Sequence, residues 1–181
     1  GGLQLAKAVD ALSSGITYQK RWFWIQACRL FDPSSRVIRV GYEVSKSKSF
    51  DDVVVYYDAD MRDEFGLQLH KDCYQVKFHV KGAGSITFQN LISPELINAT
   101  SVSLLQRLKN IHIETSSLGE HCRFILYSPW SVHPDDHLAG LWSMTDGRLD
   151  CEALLNKGPR SVIGKFRSLL RDHLALTSDA E

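Results

Sequence analysis

The sequence predicts an α/β fold in which a mixed central β-sheet is flanked by helices. Three observations carry that expectation. Apolar residues recur at helical spacing in ITYQKRWFWIQACRLF (16–31) and again near the end of the chain at Val162, Phe166, Leu169, Leu170 and Leu174. RVIRVGYEV (36–44), DDVVVYYD (51–58) and DCYQVKFHVKG (72–82) are short and rich in β-branched and aromatic residues, and they follow one another as a meander. A fourth apolar segment, CRFILYSPW (122–130), appears only after a helical stretch. The order helix, three strands, helix, strand, helix is that of an α/β sandwich.

Each element has its local reason. Leu3–Leu12 reads as a short helix, and Ser13-Ser14-Gly15 as a break that can cap the next one. The helix from Ile16 stops before Asp32-Pro33, because the residue preceding proline is disfavoured in helical conformation. Its apolar face is wide, so it is expected to be largely buried, with Trp22, Phe23 and Trp24 as core residues rather than a base-stacking platform. SKSKS (45–49) is a loop, and ADMRDEFGLQLHKD (59–72) is an excursion between strands. SPELINATSVSLLQRLKNI (93–111) holds one or two helices, through Leu104, Leu105, Leu108 and Ile111. CRFILYSPW has the continuous apolar character of an interior strand covered on both sides. HPDDHLAGLW (133–142) leads into a short helix.

With 181 residues, 44% hydrophobic and 23% charged, the chain has globular composition and is read as one domain, 1–181. It begins GGLQLAKAV without a Met and ends LTSDAE; both ends read as cuts from a longer multidomain protein. No apolar run approaches the roughly 18 residues of a membrane span, and no signal-peptide pattern opens the chain, so a cytoplasmic location is expected. Cys28, Cys73, Cys122 and Cys151 lack CxxC spacing and are read as reduced and mostly buried. Basic and acidic residues balance at 21 each, so attraction to nucleic acid must come from local patches. Such patches are Lys46 with Lys48, Lys77 with Lys81, and the series Lys157, Arg160, Lys165, Arg167 and Arg171, the last read as a solvated helix face.

The chemistry concentrates on two strands. Side chains alternate along a strand, so in DCYQVKFHVKG Tyr74, Val76, Phe78 and Val80 share one face while Gln75, Lys77, His79 and Lys81 share the other. If this strand pairs with DDVVV, Asp52 stands beside Gln75, with Lys77 two residues further along the same face. A carboxylate, an amide oxygen and an ammonium side by side are the parts of phosphodiester hydrolysis. Hard oxygen ligands suit Mg²⁺, a bound metal acidifies water and polarises phosphate, and an ammonium stabilises charge growing on the phosphoryl oxygens. Glu43, on the preceding strand, offers a further carboxylate.

These motifs, Glu43 then DDVVV then YQVK, resemble the PD-(D/E)XK, or restriction-endonuclease-like, superfamily in its QxK variant. More narrowly, GITYQ (15–19), DDVVV (51–55), YQVKFH (74–79), ILYS (125–128) and the closing KFRSLLRDHLAL resemble the N-terminal nuclease domain of the CD-NTase-associated DNA endonucleases of bacterial anti-phage defence. The resemblance implies a restriction-endonuclease-like core and a metal-dependent endonuclease acting on double-stranded DNA. It implies Asp52, Gln75 and Glu43 as metal ligands, with Asp51 the fallback for Asp52, and Lys77 as the catalytic lysine. Gln19 falls where the first helix contributes a polar side chain. Mg²⁺ is the implied cofactor, for which Mn²⁺ can substitute. An attached sensor or ATPase domain, an oligomeric active form and a bacterial cytoplasmic setting are also implied, with no membrane association. Gln75 replaces the commoner acid, which weakens electrostatic hold on a metal and favours one ion over two.

Competing readings follow from the same residues. HPDDH places His133 and His137 four apart with Asp135 and Asp136 between them; Pro134 favours a helix start with first-turn acids over a metal site. His79 is open to phosphate contact or plain solvation. The neutral Gln75 supports an alternative function, a non-catalytic degenerate nuclease fold that binds DNA or protein.

Overall fold

The computed structural model describes residues 2–44, 50–78, 84–143 and 145–178. Contacts group the chain into two compact units, Gly1–Gly82 with Asn110–Pro129, and Ala83–Lys109 with Trp130–Glu181.

The first unit holds helix α1 (Gly2–Cys28) and strands β1 (Val37–Tyr42), β2 (Val53–Tyr57) and β3 (Lys71–Val76). Strand β5 (Cys122–Tyr127) completes a four-stranded sheet of order β1-β2-β3-β5. The first three strands are antiparallel neighbours, whereas β5 runs parallel to β3, with Tyr74 opposite Ile125. The sheet is therefore mixed, as the sequence predicts. Parallel neighbours need a long crossover, here residues 77–121.

Helix α1 is continuous where the sequence suggests a break. Ser13, Ser14 and Gly15 cost about 1–2 kcal/mol in helix propensity. The next turns pack on the sheet and offset that cost: Tyr18, Trp22 and Phe23 lie against a core of Val37, Val53, Val55, Tyr57, Leu69, Tyr74 and Val76. The Trp22 ring stacks on Tyr127 at 3.7 Å. The buried stripe is narrower than expected, running through Tyr18, Trp22, Gln26 and Arg29. Trp24 is 66% exposed and Ile25 is exposed as well, so the aromatic cluster divides between core and surface. The helix passes through a 3₁₀ turn at Arg29–Phe31, and Asp32 caps a second at Pro33–Ser35 by accepting from Ser34 N at 2.9 Å.

Strands β2 and β3 are interior, which explains the near-unbroken burial of VVVYY and DCYQV. CRFILY, expected in the interior, is instead an edge strand among the described residues, every residue half-buried. It accommodates Arg123, which reaches across to β3: its Nε and Nη2 donate to Asp72 Oδ1 and Oδ2 at 2.7 and 2.8 Å. Asp72 is 2% exposed. Tyr57 Oη also donates to it, at 2.6 Å, and Arg29 Nη2 reaches Tyr57 Oη at 3.4 Å. Strand β3, strand β5 and the end of α1 are thus tied through one buried carboxylate.

In the second unit β4 (Ser85–Ile86) pairs in parallel with β6 (Ser131–Val132). Thr87 and Asn90 form a capping box for α2 (Phe88–Ile92). Helix α3 (Leu104–Ser117) begins here, followed by α4 (Cys151–Asn156) and α5 (Val162–Leu174). Ser103 Oγ lies 2.8 Å from His173 Nε2, and Lys109 Nζ donates to Leu174 O at 2.7 Å, so the start of α3 closes the end of α5. Phe88, Leu91, Leu138, Leu141, Phe166 and Leu170 surround an apolar cavity of about 140 Å³. Arg167 departs from the solvated-face reading, because its Nη1 donates to the carbonyls of Leu154, Leu155 and Lys157 at the end of α4. All four cysteines are free, but Cys28 and Cys151 are exposed, against the expectation of mostly buried thiols. No helix among the described residues is long and apolar enough to cross a membrane.

Removing Arg123 leaves the Asp72 carboxylate buried with one hydroxyl partner. Arg123→Ala is expected to lose about 3 kcal/mol of stability, read as a lower urea midpoint at unchanged slope.

Candidate active site

The antiparallel register of β2 and β3 sets Val53 against Tyr74 and so brings Asp52, one residue before β2, beside Gln75. The pairing expected from sequence is realised through side chains. Asp52 Oδ2 accepts from Gln75 Nε2 at 2.5 Å and from the Val76 backbone N–H at 2.7 Å. The amide oxygen of Gln75 takes the Phe50 N–H at 3.4 Å. The Gln75 face is therefore not a solvated one: Gln75 is 5% exposed. On the same face of the sheet, Phe50 meets Phe124 edge-on at 5.6 Å.

Lys77 lies just past the end of β3, where its N–H still donates to Tyr127 O at 2.8 Å. Its charge acts on Asp52. Burial raises the Asp52 carboxyl from its ordinary 3.8 to about 6. The Val76 N–H, the Lys77 ammonium and the Gln75 amide pull downward, and the neighbouring Asp51 charge adds to the rise. Asp51 is itself buried, but Asp52 is the residue whose carboxylate bonds Gln75.

Glu43 sits across from Asp52 in the continuation of β1, its N–H donating to Asp52 O at 3.2 Å, while Val44 N donates to Asp51 O at 3.2 Å. Its backbone is left-handed, with φ 47°, and so is that of Phe50, with φ 51°. Such conformations are uncommon for residues with a Cβ and gather where a site over-determines the backbone. The chain returns closely here: a Cβ on Gly41 would lie 2.2 Å from Val44 Cγ2 and would have to displace that exposed side chain. The Glu43 carboxylate is exposed.

A second group meets the same end of the sheet from the α1 side. Tyr42 Oη donates to Gln19 Oε1 at 3.3 Å. Burial raises the Tyr42 hydroxyl, and the charges of Glu43 and Asp52 raise it further. Among the described residues the hydrogen bond of Gln19 is thus with Tyr42, a residue that sequence reasoning passes over, and not with Asp52 or Gln75. Tyr42 could have been found from GYEV, where it alternates with Glu43. The Val76 N–H, being backbone, left no signal in the sequence.

Asp52 and Glu43 carry hard oxygens, which suit Mg²⁺ rather than a soft metal, whereas the Gln75 oxygen accepts from Phe50 N–H and its Nε2 faces Asp52. Among the described residues no three His, Cys, Asp or Glu side chains converge on one point, so an ion here needs the Gln75 amide, backbone oxygens or water besides the acids. Lys46, Lys48, His79 and Lys81 lie outside the described residues. HPDDH is a turn: Asp136 caps the 3₁₀ helix His137–Leu141 by accepting from Leu138 N at 2.8 Å, and His133 Nδ1 takes Asp135 N at 3.2 Å.

Fold and site together define a mixed α/β protein with an acid, an amide and a lysine at the end of its two central strands. No family model matches the chain. Over 179 residues, 98% of its length, it is 36% identical to CD-NTase-associated protein 4 of Enterobacter hormaechei subsp. hoffmannii (strain UCI 50). It spans 35% of that protein's length.

The raised Asp52 carboxyl has a stability consequence. The folded state holds the proton up to about pH 6 while the unfolded chain releases it near 3.8. Its contribution is therefore full below that lower value and fades as pH rises through about 6. In EDTA, Asp52→Asn is expected to lack this decline when melting is followed from pH 4 to 7; parallel profiles for the two proteins would refute the assignment.

Proposed function

We propose that the chain is the nuclease domain of an anti-phage defence effector, a metal-dependent endonuclease of the PD-(D/E)XK type that hydrolyses phosphodiester bonds in double-stranded DNA. The observation that carries this reading is the meeting of Asp52, Gln75 and Lys77 at the carboxyl end of β3. Likeness to CD-NTase-associated protein 4 supports the defence role, and the 35% coverage of that relative suits a domain joined to a sensor or ATPase part. Activation by a CD-NTase signalling system, action as an oligomer on both strands and a cytoplasmic setting belong to the same proposal.

Asp52, Gln75 and Glu43 would hold Mg²⁺ or Mn²⁺, and the ion when bound supplies Lewis-acid polarisation of phosphate and an acidified water. The protein's own contributions can be derived from its geometry. The Val76 N–H fixes the Asp52 carboxylate in one orientation, which lowers the reorganisation needed at the reacting centre. Lys77, beside it, stabilises negative charge growing on the phosphoryl oxygens. To offer its oxygen beside Asp52, the Gln75 amide must turn over and give up the Phe50 N–H. That self-satisfied amide is the observation favouring the second reading, a DNA- or protein-binding module without catalysis.

Supercoiled plasmid incubated with Mg²⁺ or Mn²⁺ is expected to be nicked and linearised, with EDTA abolishing the reaction. Lys77→Ala should retain its melting temperature and lose at least about 10²-fold in rate; full activity in that variant would sink the nuclease reading. Calorimetry with Mn²⁺ is expected to show a saturable heat that Asp52→Ala removes, and a binding module would show none in either protein.

A further inference from the structure

We propose that a groove on α1 lined by Ser13, Ser14, Thr17, Tyr18 and Arg21 binds the phosphodiester backbone of the DNA acted on at the Asp52–Lys77 site; this rests on the nuclease reading. The groove encloses about 190 Å³. Ser13, Thr17 and Arg21 fall at i, i+4 and i+8, with Ser14 and Tyr18 one residue on, so they form one flank of the helix over about 12 Å.

The lining has the chemistry of an anion site. It contains three hydroxyl-bearing aliphatic or phenolic positions beside Thr17, one guanidinium and no carboxylate. Thr17 Oγ1 is committed to Ser13 O at 2.9 Å, which leaves the serine hydroxyls and Arg21 as the lining's donors for an anion. Among the described residues Arg21 makes no ion pair or hydrogen bond, unlike Arg29, Arg36, Arg123 and Arg167. Arginine and hydroxyl side chains are common partners of backbone phosphate, and such contacts position a duplex without reading its sequence.

The placement connects the groove with the candidate site. The Tyr18 ring packs on Phe78 at 5.0 Å and on Tyr127 at 5.5 Å. Phe78 follows Lys77, and Gln19, the next residue on α1, holds Tyr42. Burial, with help from Tyr127, pushes the Tyr18 hydroxyl up to about 12, so it places no negative charge against a phosphate. The groove lies on the α1 side of the sheet and Gln75 on the other, so a DNA strand seated at Asp52 and Lys77 reaches this flank only by passing the carboxyl end of β3 beside Phe78.

The test is an anisotropy titration of a labelled duplex with the 181-residue chain in EDTA, where no cutting occurs, from about 50 to about 200 mM salt. Arg21→Ala should weaken binding several-fold on every duplex sequence and reduce the slope of log affinity against log salt by about 0.9. Arg21→Lys should restore most of the slope, and the paired change Ser13→Ala with Ser14→Ala should weaken affinity with the slope kept. Arg36→Ala removes the same charge from the Asp58 and Asp60 ion pairs and should leave affinity unchanged. Arg21 is exposed, so each variant is expected to melt like the wild type. If Arg21→Ala binds like Arg36→Ala, or the wild type has no duplex affinity at the lowest salt, the subsite is overturned. Plasmid cutting that depends on Lys77 would in either case leave the nuclease reading standing.

Discussion

The first unit depends on one buried carboxylate. Asp72 lies in the central strand β3 with both oxygens taken, by the Arg123 fork and by Tyr57. A lone buried charge costs several kcal/mol, so the partners must be present whenever the carboxylate is. That requirement aligns β5 with β3, sets the Tyr57 ring in β2 and, through Arg29, anchors the end of α1. It also accounts for an arginine in a strand of otherwise apolar character.

The same strand then serves the site, because side chains alternate. Asp72, Tyr74 and Val76 face the α1 core, leaving Cys73 and Gln75 on the opposite side. Register between β2 and β3 delivers Asp52 to Gln75 with no loop needing to close. A site built on paired strands is held more rigidly than one on loops. Glu43 and Phe50, which flank the paired strands, both have left-handed backbone.

Burial decides the electrostatics there. Asp52 has three favourable neighbours in Val76 N–H, Gln75 and Lys77, yet desolvation outweighs them and holds its carboxyl near pH 6. A carboxylate in this condition gains more from a nearby cation than an exposed one would, since its attraction to positive charge is screened less.

Much of this was legible in the chain itself. The order of elements follows from short-range patterns: VVVYY and DCYQV are dense in β-branched and aromatic residues, and ITYQKRWFW repeats at helical spacing. The Asp52–Gln75–Lys77 constellation was readable because strand alternation and a hairpin relation fix which side chains meet. Propensity misjudged α1 at Ser13-Gly15, where packing two turns later carries the helix through. The edge position of β5 among the described residues, the burial of Gln75 beneath Phe50, the Tyr42 bridge to Gln19 and the Val76 N–H on Asp52 were decided only by tertiary structure. Each depends on contacts between residues far apart in the chain, or on a backbone group every residue shares, and neither leaves a mark in local sequence.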